Sequence, residues 1–201
     1  MNLKRRISAL LLVFICVGRL LAQVVTLSNA TYTTVYDVKK GCPVLVYYIL
    51  KYNDFAVKRK RVTTYFQADS RLPKPRVKDA DYRNSGYARG HLCPAADRTA
   101  TKAMQKETFL MSNVAPMTTV LNSGSWNKYE AKARDLAVKF DSVRIHVGTL
   151  FFSADSSYLQ SGRVQIPSHF FKEVRRAGDG RLLMFFLADQ QGHIIEWPFS
   201  F

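Results

Sequence analysis

The stretch from Ser125 to Phe140 constrains the fold most, because two helical patterns overlap in it. One is an apolar stripe at helical spacing, formed by Trp126, Tyr129, Ala133, Leu136, Ala137 and Phe140. The other is a row in which Asn122, Trp126, Glu130 and Arg134 recur every fourth residue, which places them on one broad helix face. We therefore predict a helix here, capped by Ser123, that lies on the core and opens its first turns into a site.

The run from Ala88 to Arg98 is the second informative feature, since it contains Arg89-Gly90-His91. Arg89 and His91 from this run, together with Asn113 and the helical row, supply one imidazole, two carboxamides, one carboxylate and two guanidinium groups. Hydrolysis of a phosphodiester needs a base for the attacking water, a Lewis acid for the phosphoryl charge and cations that hold the phosphate. The residue set therefore predicts phosphodiester hydrolysis with one hard metal ion, for which amide and carboxylate oxygens are suitable ligands.

Four blocks with matching gaps carry a family resemblance. They are residues 81–91, residues 109–116, the row from Leu121-Asn122 to Arg134, and residues 164–172. In this order they resemble the DNA/RNA non-specific endonucleases, a family of ββα-metal nucleases. The similarity runs from about Val44 to Leu187. The chain departs from the family at Ala88, where an aspartate is frequent, and at Met117, where a glutamine is frequent and a polar contact is therefore expected to be missing.

The resemblance implies roles for the residues of the central blocks. His91 would be the general base, and Asn122 would bind Mg²⁺ directly, with Mn²⁺ as the alternative metal. Glu130 would hold water bound to that ion. Asn113 would either hydrogen-bond near the scissile phosphate or position His91.

The resemblance also implies a set of arginines that neutralise charge on the phosphoryl group. Arg89 and Arg134 match the family positions. An upstream arginine contributes as well, and we assign it to Arg61, although Arg59 and Lys60 stand beside it. The implied substrates are DNA and RNA, cut to 5′-phosphate and 3′-hydroxyl ends, with low sequence specificity because phosphate contacts carry no base information.

The expected fold class is α+β, a ββα-metal nuclease fold with a central antiparallel sheet flanked by helices. Strands are predicted at residues 44–50, 143–152 and 164–174, and the Asp179-Gly180 turn predicts a hairpin into a strand at 182–187. A short helix is predicted at 101–109, and the Thr-rich segment 23–40 is expected to be a loosely ordered lead-in. No regular βαβ alternation is present, which favours antiparallel pairing.

The N-terminus is typical of a secretory signal peptide. Lys4, Arg5 and Arg6 precede an apolar run from Ile7 to Val17 that is too short to cross a bilayer comfortably. We predict a signal peptide at 1–22, a nuclease domain at 23–201, a periplasmic or extracellular location, and no stable membrane insertion. An uncleaved membrane anchor is the alternative. The net charge of +15 favours a polyanionic partner.

Two cysteines lie beyond the predicted signal, Cys42 and Cys93. In an exported protein they could form a disulfide, and the other interpretation is two separate buried thiols. Sequence alone leaves this open, as it does the oligomeric state.

Simpler interpretations of the site residues also exist. Asn122 could be only a helix cap, Asn113 only a turn residue, and Glu130 and Arg134 only a surface ion pair. At the level of function, one alternative is a noncatalytic module that binds nucleic acid or another polyanion and derives from a nuclease. Another is a phosphodiesterase for small molecules or lipids.

Overall fold

A computed structural model describes residues 24–57, 59–62, 65–152 and 157–197, and within them an antiparallel sheet is the largest element. Its strands are β1 (Val24–Ser28), β2 (Thr33–Asp37), β3 (Cys42–Lys51), β6 (Ser142–Leu150), β7 (His169–Arg176), β8 (Leu182–Asp189) and β9 (Ile194–Glu196). They lie side by side in that order, and every neighbouring pair is antiparallel. The predicted α+β class with a central antiparallel sheet is confirmed.

The chain between β3 and β6 forms a second unit that packs on this sheet. It contains a two-stranded ribbon, β4 (Ala88–His91) with β5 (Val114–Met117), and the helices α1 (Tyr52–Phe55), α2 (Lys102–Glu107) and α3 (Asn127–Lys139). Short 3₁₀ helices at Asp79–Tyr82, Ala95–Asp97 and Met111–Asn113 connect these elements. The ribbon and α3 supply the two strands and the helix that the ββα expectation requires.

Helix α3 lies on the sheet through the stripe that the sequence predicts. Ala133 and Ala137 are fully buried, and their small side chains allow the helix to approach the strands closely. Trp126, at the entry to the helix, is 1% exposed and packs edge-on against Phe170 of β7 and Phe186 of β8. Burial of this apolar surface is the main force that holds the second unit on the sheet.

The predicted N-cap of this helix is wrong. Helical backbone begins at residue 119, and a widened π-type turn, Leu121–Trp126, which is kinked by non-helical backbone at Gly124 (φ −95°, ψ −109°), leads into α3. Thr118 precedes it, and the Thr118 hydroxyl accepts a hydrogen bond from the Leu121 amide at 3.2 Å. Ser123 therefore lies inside the helical turn, and Thr118 is the residue that caps it.

The expected loose lead-in at 23–40 is also wrong, because β1 and β2 lie within it. Tyr36 and Leu27 from these strands pack with Leu72 in a small core of their own. Within the described part of the chain β1 is an edge strand, and Leu27 is the one buried residue of its five, so its sequence shows little alternation of apolar and polar residues.

Cys42 and Cys93 are both fully buried free thiols, so the interpretation of two separate thiols holds. Burial raises the pKa of the Cys93 thiol to about 12, which keeps it protonated and unreactive. Among the residues that the structure describes, no helix is long and apolar enough to cross a membrane. The predicted signal peptide lies outside the described residues.

Candidate active site

Five of the seven predicted site residues meet at one cleft of about 620 Å³, between the β4–β5 ribbon and the start of α3. His91 and Arg89 reach it from the ribbon, Asn122 and Glu130 from the helix, and Arg61 from the loop before residue 65. The cleft therefore joins an imidazole, an amide, a carboxylate and guanidinium groups from three separate parts of the chain.

His91 is held between two aromatic rings at the last position of β4. The Phe66 and Phe109 rings each lie 5.1 Å from the imidazole, centroid to centroid, and Phe109 meets it edge-on. Burial, together with the positive charge of Arg61, lowers the pKa of His91 to about 3. The imidazole is therefore neutral at physiological pH and can accept a proton.

Position 90 of the ribbon requires glycine, because a side chain from the neighbouring strand β5 packs directly against it. A Cβ atom on Gly90 would lie 2.3 Å from the Met117 sulfur, because Met117 is fully buried against this position. Met117, the last residue of β5, is thus a packing residue of the ribbon, and its side chain has no exposed surface toward the cleft. The sequence predicts that a polar contact is missing at Met117. On either side of Met117, the side-chain amide of Gln190 donates to the Pro116 carbonyl and accepts from the Thr118 backbone N–H.

Asn113 is fully buried and does not line the cleft. Its amide oxygen accepts from the Cys93 backbone N–H at 2.9 Å, and its Nδ2 donates to the carbonyls of Cys93 and Thr108, each at 2.9 Å. Its own carbonyl accepts from the Leu92 N–H at 3.0 Å. Of the two roles that the resemblance implies, this geometry fits the one in which Asn113 positions the chain beside His91.

The widened turn Leu121–Trp126 places Asn122 and Ser123 on the cleft wall, about two helical turns before Glu130. Widened turns of this kind are frequent at functional sites, because they alter which side chains share a face. Asn127, which the sequence analysis did not consider, lines the same wall. Its spacing of four residues from Ser123 is the signal that could have found it.

Glu130 carries the carboxylate of the cleft. Burial raises the pKa of this carboxyl to about 7, and nearby Asp97 adds to the effect, whereas Lys172, Arg134 and a hydrogen bond from the Trp126 indole oppose it. A further positive charge near the carboxylate, such as a bound metal ion, would favour its charged form.

The arginines of the cleft differ in how firmly they are held. Arg59 donates to the carbonyls of Thr99 and Ala100, so its guanidinium is tied to the backbone. Arg89 forms an ion pair with Asp79 at 2.5 Å. Arg61 is exposed and lies with its guanidinium carbon 5.0 Å from the centre of the Phe109 ring. Of the two neighbouring arginines, Arg61 has the geometry of a group that can turn toward an anion.

Arg134 stands behind the cleft, where Asp97 holds it. Its Nη1 donates to the Asp97 carboxylate at 2.9 Å, and Asp97, which is 1% exposed, also accepts from the Tyr48 hydroxyl at 2.8 Å. A buried carboxylate that accepts two charged or polar donors is well satisfied. Arg134 is therefore an oriented cation next to Glu130, and it is not among the residues that line the cleft.

The donor set fits a hard metal ion that keeps most of its water. Within the described parts of the chain, no three His, Cys, Asp or Glu side chains come together as a metal-binding group. The cleft instead offers the Asn122 amide oxygen and the Glu130 carboxylate. Amide and carboxylate oxygens with several waters are a coordination typical of Mg²⁺.

Several supporting residues escaped the sequence analysis because their partners are distant in the chain. Buried Gln105 accepts from the Val62 amide at 2.6 Å and so fixes the segment that carries Arg61. Phe66 and Asp97 act through contacts with His91 and Arg134. Lys172 lies fully buried on β7. No local pattern identifies such residues, since each contact depends on the tertiary fold.

The ββα arrangement and the cleft point to one class of protein, the DNA/RNA non-specific endonucleases. Comparison with known families identifies the same class. The family model for DNA/RNA non-specific endonucleases matches residues 18–192, so the chain belongs to that family. The resemblance identified from the sequence blocks is therefore confirmed.

Individual relatives are similar to a part of the chain or to most of it. It is 33% identical to the Bos taurus protein named endonuclease G, mitochondrial, over 155 residues, which cover 72% of this chain and 52% of that one. It is 36% identical to the Homo sapiens endonuclease G over 122 residues, or 56% and 41% of the two chains. Nuclease C1 of Cunninghamella echinulata is 36% identical over 104 residues, or 47% and 41%. The chain spans about half the length of these curated relatives, or less.

A solved structure gives the same result for the fold. The chain in the EndoG/EndoGI complex superposes with a TM-score of 0.76 at 26% identity, and the match covers 83% of this chain and 74% of that one.

Proposed function

We propose that this chain is an exported, Mg²⁺-dependent endonuclease that hydrolyses DNA and RNA without selecting for the sugar or the base. The observation that carries the proposal is the cleft itself, in which neutral His91, Asn122, Glu130, Arg61 and Arg89 surround one space. Membership of the DNA/RNA non-specific endonuclease family supports the same activity.

The proposed reaction is attack of water on phosphorus, in line with the leaving oxygen. His91 accepts the proton of the attacking water as the new P–O bond forms. The bond from phosphorus to the 3′ oxygen breaks, and that oxygen takes up a proton to become a hydroxyl, so the phosphate stays on the 5′ side. Arg61 and Arg89 bind the phosphate, and Arg134 adds positive charge from behind.

The proposed metal ion is Mg²⁺, with Mn²⁺ as the alternative. Asn122 would bind it directly, and Glu130 would hold water in its hydration shell. When bound, the ion supplies Lewis-acid stabilisation of charge on the phosphoryl group. An ion at this position also explains why a buried carboxylate stands in the cleft, because it would favour the ionised form of Glu130.

Export is proposed from the sequence of residues 1–22, and a periplasmic or extracellular location follows from it. Expression of the full chain, followed by fractionation and N-terminal sequencing of the released protein, tests this proposal. A chain that begins near residue 23 outside the cell membrane is the expected result. An uncleaved chain in the membrane fraction would favour the anchor.

The activity is tested with the full chain on plasmid DNA and on RNA, with Mg²⁺ or with EDTA. We expect both substrates to be cut only with the metal, and cleavage to be lost in His91→Ala. His146→Ala is the matched control, because His146 lies half-exposed on the sheet beside Glu173, away from the cleft. Binding that survives EDTA, with no cleavage in Mg²⁺ or Mn²⁺, would instead favour the noncatalytic binding module. Rapid cleavage of small diesters with little action on long duplexes would favour the small-molecule phosphodiesterase.

A further inference from the structure

Lys172 is a buried cation behind the cleft, and the nearby Glu130 and Asp97 carboxylates partly oppose the lowering of its pKa by burial. It lies on β7, in the middle of the sheet, and its side chain is fully buried. Its ammonium has no hydrogen-bond partner among the residues that the structure describes. Removing an ammonium from water without such a partner is costly, and an apolar side chain of similar length would avoid that cost. Stability alone therefore does not account for a lysine at this position.

The contact that Lys172 makes is with Trp126. The Nζ atom lies 4.6 Å from the centre of the Trp126 ring system, which is the geometry of a cation–π interaction. Phe170 and Phe186 pack against the same indole at 5.6 Å each. The indole is therefore held by one cation and two aromatic rings, all from the strands beneath it.

Trp126 in turn connects the sheet to the main chain of the proposed base. Its indole N–H points to the His91 main-chain carbonyl at 3.4 Å. The two residues belong to different elements, since His91 ends strand β4 and Trp126 stands at the entry to helix α3. The orientation of this indole thus affects the position of the backbone that carries the proposed base.

We propose that Lys172 is a positioning residue of the nuclease site, one that holds the Trp126 indole so that its N–H stays directed at the His91 main-chain carbonyl. The role in catalysis rests on the function proposed above, whereas the hold on the indole does not. Groups that support a metal site or a catalytic residue in this indirect way affect activity by about 10- to 100-fold when they are removed.

The first test compares Lys172→Met with Lys132→Met. Lys132 also lies over an aromatic ring, at 4.3 Å from Tyr129, but it is exposed and pairs with Glu196, away from the cleft. For Lys172→Met we expect kcat to fall by about 10- to 100-fold, KM for DNA to stay within about twofold, and Tm not to fall. The Lys132→Met control should keep the wild-type kcat.

The second test needs neither metal nor substrate. The chain has two tryptophans, so Trp197→Phe leaves the Trp126 indole as the only one. In that background we expect Lys172→Met to shift the indole N–H resonance and to speed its exchange with solvent by about tenfold or more, because the N–H is no longer held. Lys132→Met should change neither quantity.

The outcomes separate the two proposals. Cleavage by the wild type, with unchanged kcat and unchanged indole exchange in Lys172→Met, would overturn the role of Lys172 alone. An inactive wild type would defeat the proposed function, and the indole measurement would still decide whether Lys172 holds Trp126. Loss of a cooperative unfolding transition in Lys172→Met would also overturn the proposal, because Lys172 would then serve folding.

Discussion

His91 is neutral at physiological pH, and the environment that keeps it neutral lowers the stability of the protein in acid. Its position between Phe66 and Phe109 and the nearby charge of Arg61 keep the imidazole neutral, since burial and a cation both disfavour a second positive charge. The same environment makes the folded protein unable to take up a proton that the unfolded chain would accept. The base is therefore available over a wide pH range, and the free energy of unfolding depends on pH.

The sign of that dependence follows from the two pKa values. The unfolded His91 has a pKa of 6.5, and in the folded chain it falls to about 3. The stabilisation from the neutral imidazole is therefore fully present above pH 6.5 and is lost as pH falls toward about 3. We expect wild-type Tm to drop more than that of His91→Asn between about pH 7 and about pH 5. Equal losses in the two proteins would contradict the assignment.

Arg61 and Lys60 offer a comparison of two adjacent cations. Arg61 lines the cleft, whereas exposed Lys60 does not. Arg61→Met should lower kcat/KM for DNA by about tenfold or more, because a guanidinium that binds the phosphate is lost. Lys60→Met should have a much smaller effect. Similar losses in the two variants would mean that net charge alone, and not the position of Arg61, governs activity.

At the scale of elements, the start of the helix that carries Asn122 depends on Thr118. The Thr118 hydroxyl accepts from the Leu121 amide and also donates to the Gln190 carbonyl, so it links the helix start to the end of β8. Thr118→Ala should lower the free energy of unfolding by about 1 kcal/mol, as loss of an N-cap does. Ser123→Ala should change it by less than about 0.5 kcal/mol. Urea unfolding of the two variants provides the measurement, and the reverse ranking would restore Ser123 as the cap.

The sequence predicted the elements whose patterns are strong and local. Strand β3 and helix α3 lie where periodicity placed them, because one face of each is buried against the core. Strands β1 and β2 were missed because Thr-rich strands near a sheet edge alternate weakly. The π-helical turn was missed as well, since a fourfold spacing is compatible with an ordinary helix.

The site residues that the sequence predicted are likewise those that belong to local patterns. His91, Asn122, Glu130 and Arg89 could be found because they belong to short blocks with fixed gaps, and the cleft brings them together. Lys172 could not be found, because its partner Trp126 is a distant residue on another element.

For the whole molecule, charge is the property that governs encounter with the substrate. The chain carries 30 basic and 15 acidic residues, and Arg59, Arg61 and Arg89 stand together at the cleft. Binding of a polyanion to such a surface releases counterions, so affinity falls steeply as salt rises. We expect KM for DNA to increase at least tenfold between about 50 and about 200 mM salt, while kcat changes little. A KM that does not respond to salt would contradict a phosphate-binding cleft.

The topology sets an order in which the proposed nuclease can become active. Strands β3 and β6 are hydrogen-bonded neighbours, yet the whole unit with the candidate catalytic residues, 52–141, lies between them in the chain. A growing polypeptide that has left the ribosome as far as α3 already contains every one of those residues, but it lacks Phe170, Lys172 and Phe186, on which Trp126 rests. We therefore expect cleavage activity to arise only after β6 to β8 have been synthesised and paired, so that an incomplete chain has little capacity to damage the nucleic acids of the cell that makes it.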